Sequence, residues 1–242
     1  MALALFLTSP SNSTASTRWF LCFVESSSIL DQLNEKQIGL LEKLNRADRV
    51  HLRRLGKLIV PDYWDLDELE YSPMPASVKR MEPDAKVMVI HLPWQVFGAY
   101  EHGHLTRWGP VSSGRALHPT PAGLFFLNWK SRQRTSKDNS NWHLRWYFNF
   151  HNQRGLAFHE FSLPGRPASH ACIRLLQRDA EWLFWWGEGW TLSSDGRKIS
   201  RHGTSVVLIG EYDFSSPRPW LDPESWKARI ALPEDVLDAK GG

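Results

Sequence analysis

The chain is poor in cysteine. Cys22 and Cys172 are the two among 242 residues, too few for a disulfide framework. It has no lysine- or arginine-rich run of the kind that follows a nucleic-acid backbone, so no nucleic-acid partner is expected. No apolar stretch approaches the ~20 residues that cross a bilayer, so no integral membrane span is expected. Charge is nearly balanced, with 29 basic against 26 acidic residues and a net charge of +3, which says little about partners. Metal-ligand clusters are missing as well. His102-Gly103-His104 has ligand-like spacing, but it falls on a hairpin turn without carboxylate or cysteine company, so neither a metal nor a cofactor is expected.

With 42% hydrophobic content, the chain can bury one substantial core and carry a small accessory module. Residues 1–27 read as a leader or disordered segment. Met1–Leu7 is apolar and Ser13-Thr14-Ala15 offers small residues, yet the run is short and lacks a positive charge, so a signal peptide stays an open reading. Cys22, within WFLCFV, has no histidine near it in sequence and is expected to be inert. Residues 28–85 suggest a small helical accessory module and a proline-rich linker. Ser28 with Asp31 is a candidate cap, and Leu30, Leu33, Gln37, Leu40, Leu41 and Leu44 form one helical stripe. Residues 61–85, with four prolines, read as the linker. From 86 to 211 the pattern turns to short β-prone runs broken by Gly, Pro, Asn or His, with one helix at about 178–187. The expected fold is mainly β, a β-sandwich or open barrel with one or two helices, preceded by the small α-helical segment. Residues 212–242 form a proline-rich tail expected to wrap the surface.

The chemistry concentrates in FHEFSLPGRPASHACIRLL. His159 and Cys172 stand thirteen positions apart, with Pro164, Gly165 and Pro167 between them to turn the chain back. A free thiol has a pKa of roughly 8.5 and is mostly protonated at neutral pH, so a thiol nucleophile needs an adjacent base. His159 ends a β-prone run, well placed to address a neighbouring strand. His170 suits either loop positioning or substrate contact. Arg174 suits either local carbonyls or a substrate carboxylate, and Ser169 a turn-forming hydroxyl.

This stretch resembles the signature of the L,D-transpeptidase (YkuD-like) family, a histidine followed by Ser-His-Gly-Cys-aliphatic-Arg. Ser169-His170-Ala171-Cys172-Ile173-Arg174 matches the block, with His159 upstream. Residues 87–92 (VMVIHL) and 96–100 (VFGAY) are similar to the family's opening hairpin. Val111-Ser112-Ser113-Gly114 with Thr120-Pro121-Ala122-Gly123 is similar to its central segment, and Gly203–Ile209 to its closing strand. Two departures stand out. Ala171 replaces the usual glycine, at a cost of about 1 kcal/mol if its φ is positive, and Glu160-Phe161 follow the histidine where Gly-Thr is usual.

The resemblance implies Cys172 as nucleophile and His159 as base. It also implies backbone amides near His170 and Ala171 as the oxyanion site, with Ser169 and Arg174 positioning substrate. The substrate would be a peptidoglycan stem peptide in the cell envelope or periplasm, and carbapenems would acylate the thiol. A hydrolase on the same scaffold, an inactive wall-binding module and a conventional cysteine protease are the rivals. Because every matching block begins after residue 85, the N-terminal segment is expected to be dispensable for the chemistry.

Overall fold

The computed structural model describes residues 21–25, 29–65, 67–136 and 139–233. Of residues 1–27, expected as a leader or disordered segment, 1–20 and 26–27 lie outside the described residues, as do the Ser28 cap and the side chain of Cys22, whereas 21–25 form a paired strand rather than a disordered one. β1 (Leu21–Glu25) pairs antiparallel with β2 (Lys57–Pro61), and between them lie α1 (Glu35–Asn45) and α2 (Arg49–Leu52). β3 (Val87–His91), β4 (Val96–Glu101), β5 (His104–Ser112), β6 (Gly123–Phe126), β7 (Lys130–Thr135), β8 (His143–His151), β9 (Leu156–Glu160), β10 (Ile173–Leu175) and, after further elements, β13 (Ser205–Ile209) form one nine-stranded sheet. Its order is β6-β13-β3-β4-β5-β10-β9-β8-β7. α3 (Gln177–Trp186) and a small β11–β12 hairpin (Thr191–Leu192 and Ile199–Arg201) complete the region. The fold is mainly β with a preceding helical segment, as expected. No helix among the described residues is long and apolar enough to cross a membrane.

Side chains alternate across a strand, and here both faces of the sheet are covered. Val87 and Val89 of β3 point into one core, while Met88 and Ile90 point into another. β13 does the same, with Val207 and Ile209 on the first side and Val206 and Leu208 on the second. Burial on both faces explains why these strands are continuous apolar runs rather than alternating ones. The β4–β5 hairpin turns at His102 (φ 46°) and Gly103 (φ 77°), the left-handed pair of a type I′ turn. The His-Gly-His run is therefore hairpin chemistry.

The first core takes in the N-terminal segment. Leu41, Leu44, Leu52 and Leu58 have no exposed surface and pack with Val87, Val89, Val96 and Tyr100. α1 starts at Glu35 and is capped by Asn34. Its side chain accepts from the Gln37 amide at 2.9 Å, and the Gln37 side chain accepts from the Asn34 amide at 3.0 Å, a reciprocal box that satisfies two orphan donors. Residues 61–85, expected as a linker, are packed. Tyr71, Met74 and Met81 are buried in the same core, while the prolines set the bends between them.

Arg46 closes α1 in the left-handed conformation (φ 56°) and is fully buried. Its guanidinium sits 5.9 Å from the ring centre of Trp108, 5.8 Å from Trp220 and 5.3 Å from Trp226, and its Nε donates to the Trp94 carbonyl at 2.9 Å. Burial pushes its pKa down to about 9. One side chain thus joins the N-terminal helix, the sheet and the C-terminal tail.

A chain beginning at Met81 would lose those four leucines and Arg46 together. Burial of each large aliphatic side chain stabilises by about 1.5–3 kcal/mol, and a domain's whole margin is about 5–15 kcal/mol. Such a chain should show no cooperative thermal transition by circular dichroism. A sharp transition near the full-length midpoint would show the segment to be independent.

Candidate active site

β9 and β10 run parallel side by side, with Phe158 opposite Ile173, His159 opposite Arg174 and Glu160 opposite Leu175. Parallel neighbours need a connection that leaves the sheet and returns, here residues 161–172. It returns with Cys172 at the foot of β10. Phe158, Ile173 and Leu175 face the second core. Alternation therefore puts Cys172, Arg174 and His159 on the opposite face. There they meet in a small cavity of about 40 Å³ that also takes in Ser169 and His170 and is walled by Trp142, Leu144 and Phe161.

His159 is 4% exposed. Its Nδ1 lies 2.9 Å from the Glu160 carbonyl. A carbonyl only accepts, so Nδ1 carries the hydrogen and Nε2 is left with its lone pair. Burial pushes the imidazole pKa down to about 4, the backbone bond offsetting part of the effect and Arg174 adding to it. The ring is neutral at physiological pH. Arg174 is nearly buried. Its guanidinium lies 4.5 Å from the Phe161 ring centre and donates to the Ser162 carbonyl at 3.4 Å. Burial pushes its pKa down to about 10, with Cys172 offsetting part of the effect and Arg115 adding to it.

Ser169 is a loop fastener. Its hydroxyl donates to the Cys172 carbonyl at 2.5 Å and its amide to the Ser113 carbonyl at 3.0 Å. His170 stands between His118, at 4.9 Å edge-on, and Trp142, at 5.4 Å stacked. Ala171 has φ 76°, so the alanine occupies a left-handed position that favours glycine. Its carbonyl accepts from the Thr120 hydroxyl at 2.9 Å, and that hydroxyl accepts from the Gly114 amide at 2.8 Å. Gly114 is obligatory on space alone, since a Cβ there would lie 2.0 Å from the His118 carbonyl oxygen. Behind them Gln95, fully buried, donates to the Ser113 hydroxyl at 2.8 Å and accepts from the Ser113 amide at 2.8 Å.

The N-terminal segment reaches the same loop. The Gly165 amide donates to the Arg46 carbonyl at 3.1 Å, the Asp48 amide to the Leu163 carbonyl at 2.9 Å, and the Leu163 amide to the Asp48 carboxylate at 2.7 Å. These contacts run against the dispensability expected from where the matching blocks begin. A wider cleft of about 680 Å³ opens from Cys172 and His170 along Trp129, Arg134, Tyr147 and Arg154. The Tyr147 hydroxyl donates to the Gly155 carbonyl at 3.2 Å, and the Cys172 Sγ lies 3.9 Å from the same oxygen.

Of the six residues picked out in the sequence, His159, Ser169, His170, Cys172 and Arg174 line the small cavity, while the methyl group of Ala171 packs in the second core. Sequence reasoning passed over Gln95, His118, Trp142, Tyr147 and Gly155, whose spacing carries no signal. Thr120 lay within a matched block, but nothing in the block pointed to its bond with Ala171. Among the described residues, no group of three or more His, Cys, Asp or Glu side chains is placed to hold a metal ion.

The family model for the L,D-transpeptidase catalytic domain, YkuD, matches residues 85–208, and the chain belongs to this family. No curated protein sequence matches it significantly. Among solved structures, an L,D-transpeptidase from Stackebrandtia nassauensis is 22% identical, with a TM-score of 0.43 over 53% of this chain and 57% of that one. An L,D-transpeptidase from Mycobacterium tuberculosis H37Rv is 24% identical, with a TM-score of 0.40 over 52% and 58%. Another, from Mycobacterium smegmatis, is 18% identical, with 0.40 over 52% and 59%. The chain thus spans somewhat over half the length of each.

Because Ala171 is held at φ 76°, Ala171→Gly should relieve strain of about 1 kcal/mol. The melting temperature should rise by about 2–4 °C. A fall in melting temperature would show that the methyl group, which is buried in the second core, matters more than the backbone.

Proposed function

We propose that the protein is a cysteine L,D-transpeptidase acting on peptidoglycan tetrapeptide stems in the bacterial cell envelope. The observation that carries this reading is the meeting of Cys172 with a buried His159 whose Nδ1 hydrogen is committed to the Glu160 carbonyl. A neutral imidazole with a free Nε2 lone pair is the form a general base requires.

In this reading Nε2 of His159 takes the Cys172 proton and the thiolate attacks the carbonyl between the third residue and the terminal D-alanine. Backbone amides around His170, Ala171 and Cys172 hold the oxyanion. The imidazolium then returns its proton to the departing D-alanine amine, leaving an acyl-thioester. An amine from a neighbouring stem attacks the thioester, gives its proton to His159, and releases the thiol as the cross-link forms. Thr120 and Ser169 act as positioning residues, since both hold the backbone that presents the thiol.

Muropeptide mass spectrometry after incubation with the purified protein tests the reaction. Cross-linked product with loss of D-alanine is expected, whereas release of D-alanine without cross-linking would make the protein a carboxypeptidase. Cys172→Ser should retain normal melting and lose turnover, because a serine hydroxyl is too weak an acid for His159 to ionise. Turnover surviving in that variant would end the thiol mechanism.

A carbapenem should give one covalent adduct, on Cys172 and not on Cys22. The adduct should form much more slowly in His159→Ala at neutral pH, and the deficit should shrink towards pH ~8.5, where solvent alone ionises the thiol. The acid limb carries a second expectation. Since the folded-state pKa of His159 is pushed down to about 4, the base stays unprotonated below the ordinary histidine value of about 6.5. Wild-type acylation should therefore persist through pH 6.5–5 and fail only as pH nears 4. An acid limb at or above 6.5 would show that His159 is not the group being titrated.

A further inference from the structure

The cleft leading away from Cys172 carries a charge pattern that acyl transfer does not itself require. The described residues lining it include two guanidiniums, Arg134 and Arg154, and no carboxylate. Neither arginine forms an ion pair with a described residue. Arg134 is half-buried on β7, opposite Leu144 of β8. Its guanidinium lies 4.9 Å from the ring centre of Trp129 and 5.5 Å from that of Tyr147, two rings whose centres are 5.1 Å apart. The shelf beneath it is itself fixed. Trp129 Nε1 donates to the Asn152 side chain at 3.0 Å, and the Tyr147 hydroxyl to the Gly155 carbonyl at 3.2 Å. That carbonyl lies 3.9 Å from the Cys172 Sγ, so the aromatic shelf runs from the guanidinium to the nucleophile. Arg154 stands exposed in the β8–β9 turn, one residue before Gly155.

A guanidinium held over aromatic rings has already given up much of its freedom, and its planar fork matches a carboxylate with two parallel hydrogen bonds. A cleft lined by one sign of charge also concentrates ligands of the other. We infer that Arg134 and Arg154 make this cleft select acyl-donor stems bearing free carboxylates over the same stems with those groups amidated, with Arg134 as the principal anchor. The inference rests on the reading of the substrate as a stem peptide. Amidation removes the charge and leaves one acceptor where the fork presents two donors, so the two donors differ at the atoms Arg134 would touch.

The test compares a free-acid tetrapeptide with its counterpart amidated at every carboxylate except that of the terminal residue. Dissociation constants are measured on Cys172→Ser, and kcat/KM on the thiol enzyme. The free acid is expected to be favoured about tenfold or more. Arg134→Gln should remove most of that preference by weakening the free acid while leaving the amidated peptide within about twofold. Arg134→Lys should restore part of it, and added salt should narrow it. Equal or tighter binding of the amidated peptide, equal weakening of both peptides by Arg134→Gln, or binding of neither would overturn the inference. Alkylation of Cys172 by iodoacetamide, an uncharged probe, should be the same in wild type and Arg134→Gln. If both peptides bind with the expected preference but neither is turned over, the selectivity stands and the transpeptidase reading falls.

Discussion

The site depends on the parallel pairing of β9 with β10. Two adjacent parallel strands cannot be closed by a tight turn, so residues 161–172 must leave the sheet and come back. That return sets the thiol beside the strand carrying His159. Such a connection would ordinarily be mobile, and much of the surrounding polar structure restrains it. Ser113 accepts from the amides of both Ala168 and Ser169, Thr120 holds the Ala171 carbonyl, and Arg46 with Asp48 grips residues 163–165 from outside. A side chain on a loop thereby gains the placement of one on a strand.

This bracing allows the electrostatics to work. His159 is kept neutral by burial, which costs nothing in hydrogen bonding because Nδ1 has the Glu160 carbonyl. Arg174 is held on Phe161 and by the Ser162 carbonyl, and it forms an ion pair with no carboxylate among the described residues. The left-handed turn at Ala171 is a residue under strain that its neighbours hold in place. The first core, centred on Arg46 and its tryptophans, lies behind the same loop. Stability and site geometry are therefore not separable in this chain.

How much of this was legible in the sequence follows from what local signals record. β3 and β13 were readable because strands buried on both faces are continuous apolar runs. β7 was not, since Lys130-Ser131-Arg132-Gln133-Arg134-Thr135 has neither an apolar run nor alternation. β10, three residues long, is defined by its two neighbours rather than by its composition. That Cys172 and His159 line one cavity was foreseeable from the ordered family blocks. The packing of residues 61–85 was not, because proline marks bends and carries no information about what a bend lies against. Nor was Asp48, whose part in the site spans 115 positions to Leu163.

β7 also forms one end of the nine-stranded sheet, so no strand among the described residues pairs with its outer edge. Edges of this kind invite further strands to add, and basic side chains are a common protection against it. The Lys130 ammonium is taken up by the Phe184 and Gly187 carbonyls, while Arg132 lies over Trp146 and the exposed Trp185. Arg134 therefore belongs both to the cleft and to the shielding of this edge. Replacing the basic residues of β7 with apolar ones to widen substrate range would leave a flat, tryptophan-flanked strand open to sheet extension. Solubility would be lost before selectivity could be measured, so polar uncharged replacements are the workable route for re-engineering this cleft.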